Sequence, residues 1–512
     1  MARFFNTTGP CRPDDHYMLP PLPRLPTLRD LIDRKAYFVL HAPRQSGKTT
    51  VLLSLAQALT AEGRYAAVLL SLEVGDPFPD DVGAAEDAIL SVWRRKTEHW
   101  LPAELQPPPW PMAPAGSRIN AALGAWAQTC RRPLVIFLDE VDALQNSTLS
   151  AVLRQIRDGF TDRPTRFPSS VGLCGMRDVR DYKIASGGSE RLHTASPFNI
   201  KVASLTLKSF TREEVATLYA QHTAETGQVF TTEAVDLAFY LTCGQPWLVN
   251  ALAAQLMDEV VRDRQQPILP EHVLQAKEQL IQRRDTHLDS LAERLREKRV
   301  QRVIEPILVG DFPPMDMMND DLVFARDMGL VVDRPSVRIA NPIYQELIPR
   351  ALSYVMQAVL PHQTAWYQRP DGSLDLPALL RAFQRFFAEQ SEAWLSRFTY
   401  HEAGPHLMLM AFLQRVVNGG GSIPREFALG SGRADLLVEF HGQRFALELK
   451  LRRSERTQQE GIEQLSGYLD RLGAREGYLI LFERRPGMTW EEKLFESEAQ
   501  GPAGQQIHIF GM

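Results

Sequence analysis

Cysteine is scarce in this chain of 512 residues: there are four, Cys11, Cys130, Cys174 and Cys243, spread without metal-ligand spacing. That scatter excludes a zinc-ribbon module and a disulfide framework, and predicts reduced, mostly buried thiols in a cytoplasmic protein. Long apolar runs are missing as well. None approaches the roughly 20 residues that span a bilayer, and the N-terminus carries no signal-peptide core, so no membrane partner is expected. Nor is there a surplus of positive charge. The formal net charge is −5, so nucleic-acid binding must come from local basic patches. Internal repeats and low-complexity segments are absent, which excludes solenoids. What remains is ordinary globular material, 44% hydrophobic and 23% charged, long enough for three or four domains.

Within it, residues 41–50, His-Ala-Pro-Arg-Gln-Ser-Gly-Lys-Thr-Thr, have the pattern of a phosphate-binding loop. The apolar run Tyr37-Phe-Val-Leu40 before them is of strand type, and the segment from Thr50 to Leu59 has helical period. At such a strand-to-helix turn, backbone N–H groups and the helix N-terminus converge on an anion. Pro43, Arg44, Gln45, Ser46, Gly47, Lys48, Thr49 and Thr50 are the candidate nucleotide contacts. Gly47 admits close backbone approach, Lys48 reaches the β/γ oxygens and the Thr49 hydroxyl can ligate Mg²⁺. Ala42 stands where the pattern GxxxxGK[ST] has its first glycine, so the loop must enter through an ordinary φ.

Leu134-Val-Ile-Phe-Leu-Asp139-Glu140 supplies the partner motif. Five apolar residues without alternation predict a parallel strand buried on both faces, with Asp139 and Glu140 at its C-terminal end. Asp139 suits a direct or indirect Mg²⁺ role and Glu140 the polarisation of an attacking water. This region is expected to bind ATP or GTP and hydrolyse it. Further strands are expected at 66–72, 170–175 and 198–202, giving a parallel sheet with helices on both faces. Prolines make 102–116 an extended, surface-exposed insertion. Thr211 opens a capping box, Pro246 begins another helix, and a hairpin near 330–340 follows a run of helices. Residues 360–372 read as a linker.

Together the loop at 41–50, Asp139-Glu140 and Gly244-Gln-Pro246 resemble the AAA-like ATPases of the signal-transduction (STAND) and archaeal-ATPase group, and residues 337–346 are similar to its winged-helix end. The resemblance implies an ATPase core at 1–205, a helical lid at 206–288 and a winged helix at 289–355. It further implies that Gly244 and Pro246 sense the nucleotide and that ATP binding drives homo-oligomerisation. An arginine from a neighbour would complete the site, with Arg191 the first candidate and Arg177 the second.

The C-terminal part carries a second constellation. Asp435-Leu-Leu-Val-Glu-Phe440, His-Gly and Gln443-Arg-Phe-Ala-Leu-Glu448-Leu-Lys450 predict a tight hairpin whose two-residue turn is His441-Gly442. Counting back from the turn sets Asp435 opposite Glu448, with Lys450 on the same face and the apolar residues on the other. Facing carboxylates repel unless a divalent metal lies between them. Asp, then Glu-x-Lys on the adjacent strand, resembles the PD-(D/E)XK nuclease superfamily, which implies a restriction-endonuclease-like α/β/α domain at 373–512. On that resemblance Asp435 and Glu448 hold Mg²⁺ or Mn²⁺, Lys450 serves the chemical step, and Glu402 and Gln464 are further candidates. The basic residues Lys450, Arg452, Arg453 and Arg456 suggest a DNA backbone contact. The sequence thus points to an ATPase that gates a metal-dependent nuclease, an arrangement that resembles bacterial and archaeal proteins responding to foreign or mobile DNA. The competing reading is an ATP-driven switch whose C-terminal domain binds nucleic acid without cutting it.

Overall fold

The computed structural model describes residues 3–176, 200–283, 286–309, 319–333, 336–359, 367–395, 403–417, 421–422, 436–452, 454–483, 485 and 487–512. They form two compact units, Met1–Glu278 with Asp327–Gly329, and Gln279–Arg326 with Leu330–Met512.

The first unit is built on a five-stranded parallel sheet. Its strands are β1 (Tyr37–His41), β2 (Ala66–Ser71), β3 (Leu134–Asp139), β4 (Ser170–Gly175) and β5 (Ala203–Thr206), in the order β2-β3-β4-β1-β5. All six residues of β3 are buried, as a strand covered on both sides requires. Alternate residues feed two cores. Val68, Leu70, Ile136, Leu138 and Leu173 pack with α3 (Val82–Trp100), α4 (Arg118–Thr129) and α5 (Asn146–Asp158). On the opposite face Phe38, Leu40, Val135 and Phe137 meet α1 (Thr27–Asp33) and α2 (Lys48–Ala61).

Two local expectations need correcting. The edge strand is Ala203–Thr206 and not 198–202, of which 198 and 199 lie outside the described residues. The proline-rich insertion is not all surface. Leu105 is 1% exposed and accepts from the Trp126 indole at 3.0 Å through its carbonyl, and Trp110 packs on the core. Prolines prevent regular structure but leave apolar side chains free to bury.

Helices follow: α6 (Arg212–Thr226), α7 (Thr232–Thr242) and α8 (Pro246–Gln255), with α9 (Pro270–Arg283) after them. Thr211 and Glu214 form the capping box of α6, and Pro246 occupies the first turn of α8. Gly244 is fixed in the left-handed region at φ +70°, donating no side chain because a Cβ there would lie 1.9 Å from the Phe210 carbonyl oxygen. Gly244→Ala is therefore expected to cost about 1–3 kcal/mol in strain, seen as a lower Tm. A Tm equal to the wild type's would show that this turn is free to re-route.

The N-terminal arm ties α6 and α8 to α2. Phe5 packs edge-on to Tyr219 and tilted to His222 of α6, Tyr17 packs edge-on to His222, Arg3 pairs with Glu225 at 2.9 Å, and Gln221 hydrogen-bonds Met18 in both directions. The Cys11 amide donates to Thr50 Oγ1 on α2 at 3.1 Å, and the Trp247 indole of α8 donates to the Thr7 carbonyl at 2.9 Å.

The second unit begins with α10 (Thr286–Arg294), α11 (Lys298–Val309) and α12 (Asp320–Asp327), followed by a two-stranded ribbon, β6 (Val331–Val332) and β7 (Arg338–Ile339). After α13 (Pro342–Val359) and α14 (Leu376–Leu395) comes α15 (Gly404–Val417), packed against α13. A six-stranded mixed sheet completes the unit. Its strands are β8 (Gly421–Ser422), β9 (Leu436–Phe440), β10 (Gln443–Arg452), β11 (Glu476–Glu483), β12 (Phe495–Gln500) and β13 (Gln506–Gly511), ordered β12-β13-β11-β10-β9-β8. Helix α16 (Arg456–Leu472) makes the crossover between the parallel strands β10 and β11, and α17 (Trp490–Lys493) precedes β12. Leu436, Val438, Phe440, Leu447 and Leu449 face α14 and α15, while Ala446, Leu479 and Ile507 face α16, giving three α/β/α layers.

Candidate active sites

The phosphate-loop residues sit at the C-terminal edge of the first sheet. Gly47 adopts φ +92° and Gln45 φ +57°, whereas Ala42 keeps an ordinary φ as its side chain requires. Lys48, the first residue of α2, folds over the loop and donates to the Ala42 and Pro43 carbonyls at 2.7 and 2.8 Å. Burial pulls its pKa below the ordinary lysine value, opposed by Cys174, Asp142 and Asp139. Arg44 and Gln45 are exposed, and Ser46 is buried.

Strand β3 delivers Asp139 beside this loop, where Thr49 Oγ1 donates to Asp139 Oδ2 at 2.7 Å. Two hard oxygen donors converging in this way suit Mg²⁺. Glu140, at φ +59°, turns away from the strand, its amide donating to Asp139 Oδ1 at 3.0 Å. Its carboxylate accepts from Ser71 Oγ, at the end of β2, at 2.7 Å. Burial raises the Glu140 pKa, the Ser71 hydrogen bond opposes the shift, and the charges of Glu73 and Asp139 add to it.

Two cavities adjoin the loop and share Gly9, Gln45, Gly47 and Thr50. One, of ≈ 400 Å³, carries the charged groups, with Lys48, Thr49, Ser71, Glu73, Lys96, Asp139 and Glu140 in its lining. The other, of ≈ 130 Å³, is largely apolar and lies between the arm and helices α6 and α8, with Tyr17, Phe210, Pro246 and Trp247 among its walls. A charged compartment adjoining an apolar one suits a nucleotide's phosphates and nucleoside. Pro246 takes its place there, and Gly244 holds the turn that positions it.

Sequence reasoning missed the arm, Trp247, Ser71, Glu73 and Lys96. Ser71 and Glu73 had a signal, since they lie at and just beyond the end of the strand adjacent to β3. The arm had none, because an irregular proline-rich segment carries no period. Arg191, Arg177, Glu402 and Asp435 lie outside the described residues.

In the second unit the hairpin has the expected register. His441 (φ +45°) and Gly442 (φ +83°) form the turn, Phe440 pairs with Gln443, and the ladder runs to Leu436 opposite Leu447. Glu448 is 2% exposed, and Lys450 Nζ stands 2.9 Å from its Oε1. Gly461 of α16 lets the helix settle on the sheet beside this pair, since a Cβ there would lie 2.7 Å from Leu479 Cδ1. One turn on, Gln464 is exposed and Tyr468 buried.

Of the expected basic patch, Arg453 lies outside the described residues and Arg456 is exposed, whereas Arg452 is buried. Arg452 is 8% exposed, donating to Glu455 at 2.7 Å with Glu483 4.0 Å away, and Arg456 pairs with Glu460 at 3.0 Å. Burial works to raise the Glu483 pKa, yet Arg485 and Arg452 hold it below the ordinary value. A β-strand alternates its faces, so the even-numbered Arg452 turns inward with Lys450. Among the described residues no group of three or more His, Cys, Asp or Glu is arranged to hold a metal, and no helix is long and apolar enough to cross a membrane.

The parallel sheet, the loop between β1 and α2, and the Thr49–Asp139 pair define a P-loop nucleotide-binding domain. No protein-family model matches the chain, and no curated protein does. Among solved structures, the Walker-type ATPase of Pyrococcus abyssi superposes with a TM-score of 0.46 at 12% identity, covering 67% of this chain and 99% of its own. The RuvB Holliday junction branch migration motor of Thermotoga maritima gives 0.35 at 14%, covering 64% and 92%. Cdc6p from Pyrobaculum aerophilum gives 0.33 at 13%, covering 66% and 94%. Likenesses at these scores assign no function.

Proposed function

We propose that the chain binds ATP across the two cavities, hydrolyses it, and uses the cycle to control a metal-dependent nuclease site acting on DNA in the C-terminal unit. The observation that carries the ATPase reading is the convergence of Lys48, Thr49, Asp139 and Glu140 on one cavity beside the loop amides. Loop residues 43–50 would cradle the phosphates, with Lys48 exchanging its carbonyl partners for phosphate oxygens. Thr49 and Asp139 would hold Mg²⁺, which when bound supplies charge neutralisation at the β- and γ-phosphates. Glu140 would take a proton from the attacking water, and its raised pKa fits a base. Pro246 and Trp247 would close on the nucleoside, which links occupancy to lid position. Arg191 remains the candidate to reach a neighbouring subunit in an ATP-bound homo-oligomer.

The test is nucleotide binding by the full chain. Lys48→Ala is expected to weaken ATP binding by at least about 10²-fold, since it removes a buried charge-assisted contact to phosphate. Binding equal to the wild type's would sink the assignment.

The nuclease half is supported by Glu448 and Lys450 sharing one face of β10 and by a described ladder, Phe440–Gln443 to Leu436–Leu447, in the register from which the sequence expectation sets Asp435 opposite Glu448. Glu448 and Asp435 would hold Mg²⁺ or Mn²⁺, with Gln464 and Glu402 nearby in role. One observation favours the second reading, of a domain that binds nucleic acid or a partner without cleavage: Glu448 and Lys450 already neutralise each other, as do Arg452 and Glu455. Plasmid DNA incubated with the full chain, with Mg²⁺ or Mn²⁺ and with and without ATP, separates the two. Cleavage lost in EDTA supports the nuclease, and binding without cleavage supports the alternative.

A further inference from the structure

Helix α3 carries three consecutive cations, and they meet different surroundings. Arg94 donates to the Pro107 and Pro108 carbonyls and lies 4.4 Å from the Trp110 ring centroid. Arg95 is exposed. Lys96 is half-buried and lines the ≈ 400 Å³ cavity together with Lys48, Thr49, Asp139 and Glu140. Among the described residues it has no hydrogen bond or ion pair.

Its position follows from its helix. Trp93, fully buried, donates its indole N–H to the Ser71 carbonyl at 2.9 Å, and Ser71 Oγ in turn donates to Glu140 at 2.7 Å. Residues three apart share a helix face, so Lys96 stands one turn from the side chain that pins α3 to the catalytic edge. A half-buried ammonium loses hydration and side-chain freedom, and here no partner offsets either loss. The same cavity wall carries three carboxylates, Glu73, Asp139 and Glu140, against two lysines. A triphosphate entering it adds more negative charge.

We propose that Lys96 is a further catalytic residue, its ammonium contacting the terminal phosphate from the β2–β3 side and supplying within the subunit part of the cationic stabilisation that hydrolysis needs. The inference rests on the ATPase reading of this site. In the step, the water oxygen forms a bond to the γ-phosphorus and its proton passes to Glu140. The bond to the bridging oxygen breaks, with its electron pair leaving on ADP. Lys96 exchanges no proton; it offsets charge that grows on the transferring group.

The experiment compares ATP turnover and ATP affinity in the full-length wild type, Lys96→Met and Lys96→Arg. Lys96→Met is expected to lower kcat by roughly 10²–10³-fold while the dissociation constant for ATP changes by less than about 3-fold, and Lys96→Arg should recover part of the rate. Affinity near the wild type's also shows that the variant is folded. Wild-type kcat in Lys96→Met overturns the proposal, as does a loss of affinity matching the loss of rate, because Lys96 would then only bind ground-state nucleotide. Failure of the wild type itself to bind ATP is a different result and removes the ATPase reading beneath it.

Discussion

Glu140→Gln is expected to bind ATP as the wild type does and to turn it over roughly 10²–10⁴-fold more slowly, the contribution typical of a positioned base. The amide keeps the shape and can still accept from Ser71, so the 2.7 Å contact and the left-handed turn at φ +59° should survive. What disappears is the basic oxygen. In the wild type, burial and the carboxylates of Glu73 and Asp139 raise the Glu140 pKa, so the group protonates at higher pH than an exposed glutamate. The sign follows: kcat/KM should fall as pH drops through that raised value, and the acid limb should lie above the ordinary glutamate range. In Glu140→Gln this limb should vanish. Unchanged turnover in the variant would move the base to another residue.

Glu448→Gln is expected to lower metal-dependent DNA cleavage at least about 10³-fold, the several kcal/mol that a lost metal ligand removes from transition-state stabilisation. ATP turnover should stay at the wild-type rate, since Lys48, Thr49, Asp139 and Glu140 belong to the other compact unit. Asp435→Asn should behave alike, because neither carboxylate suffices alone. A purely structural role gives a different pattern. Replacing a buried partner of Lys450 would then lower Tm, and the joint change Glu448→Gln with Lys450→Met would restore it without any cleavage having been present. Cleavage by Glu448→Gln at the wild-type rate would exclude the metal assignment.

Local chemistry decided how much of this was legible in the sequence. The loop at 41–50 and the strand ending in Asp139 were readable because glycine, lysine and an unbroken apolar run each have one physical use there. The hairpin register was readable because His441-Gly442 fixes a two-residue turn and period 2 does the rest. Helix α3 escaped notice although Ala85, Ile89, Leu90 and Trp93 follow helical spacing, and Lys96 was lost with it. The edge strand was misplaced because Ala203–Thr206 is short and only half-buried, so its hydrophobic signal is weak. One member of the charge cluster after Lys450, Arg452, was misread for another reason. Composition counts Arg452 as surface charge, whereas strand geometry turns it inward to Glu455 and Glu483.

The arm that links α2 to α6 and α8 has six prolines between positions 10 and 26. Each fixes one backbone torsion before the arm docks, so little conformational entropy is lost when Cys11 meets Thr50 and Thr7 meets Trp247. A flexible arm of equal length would oppose its own docking more strongly. The seating of the arm on α2, α6 and α8 is therefore set partly by stiffness written into the chain.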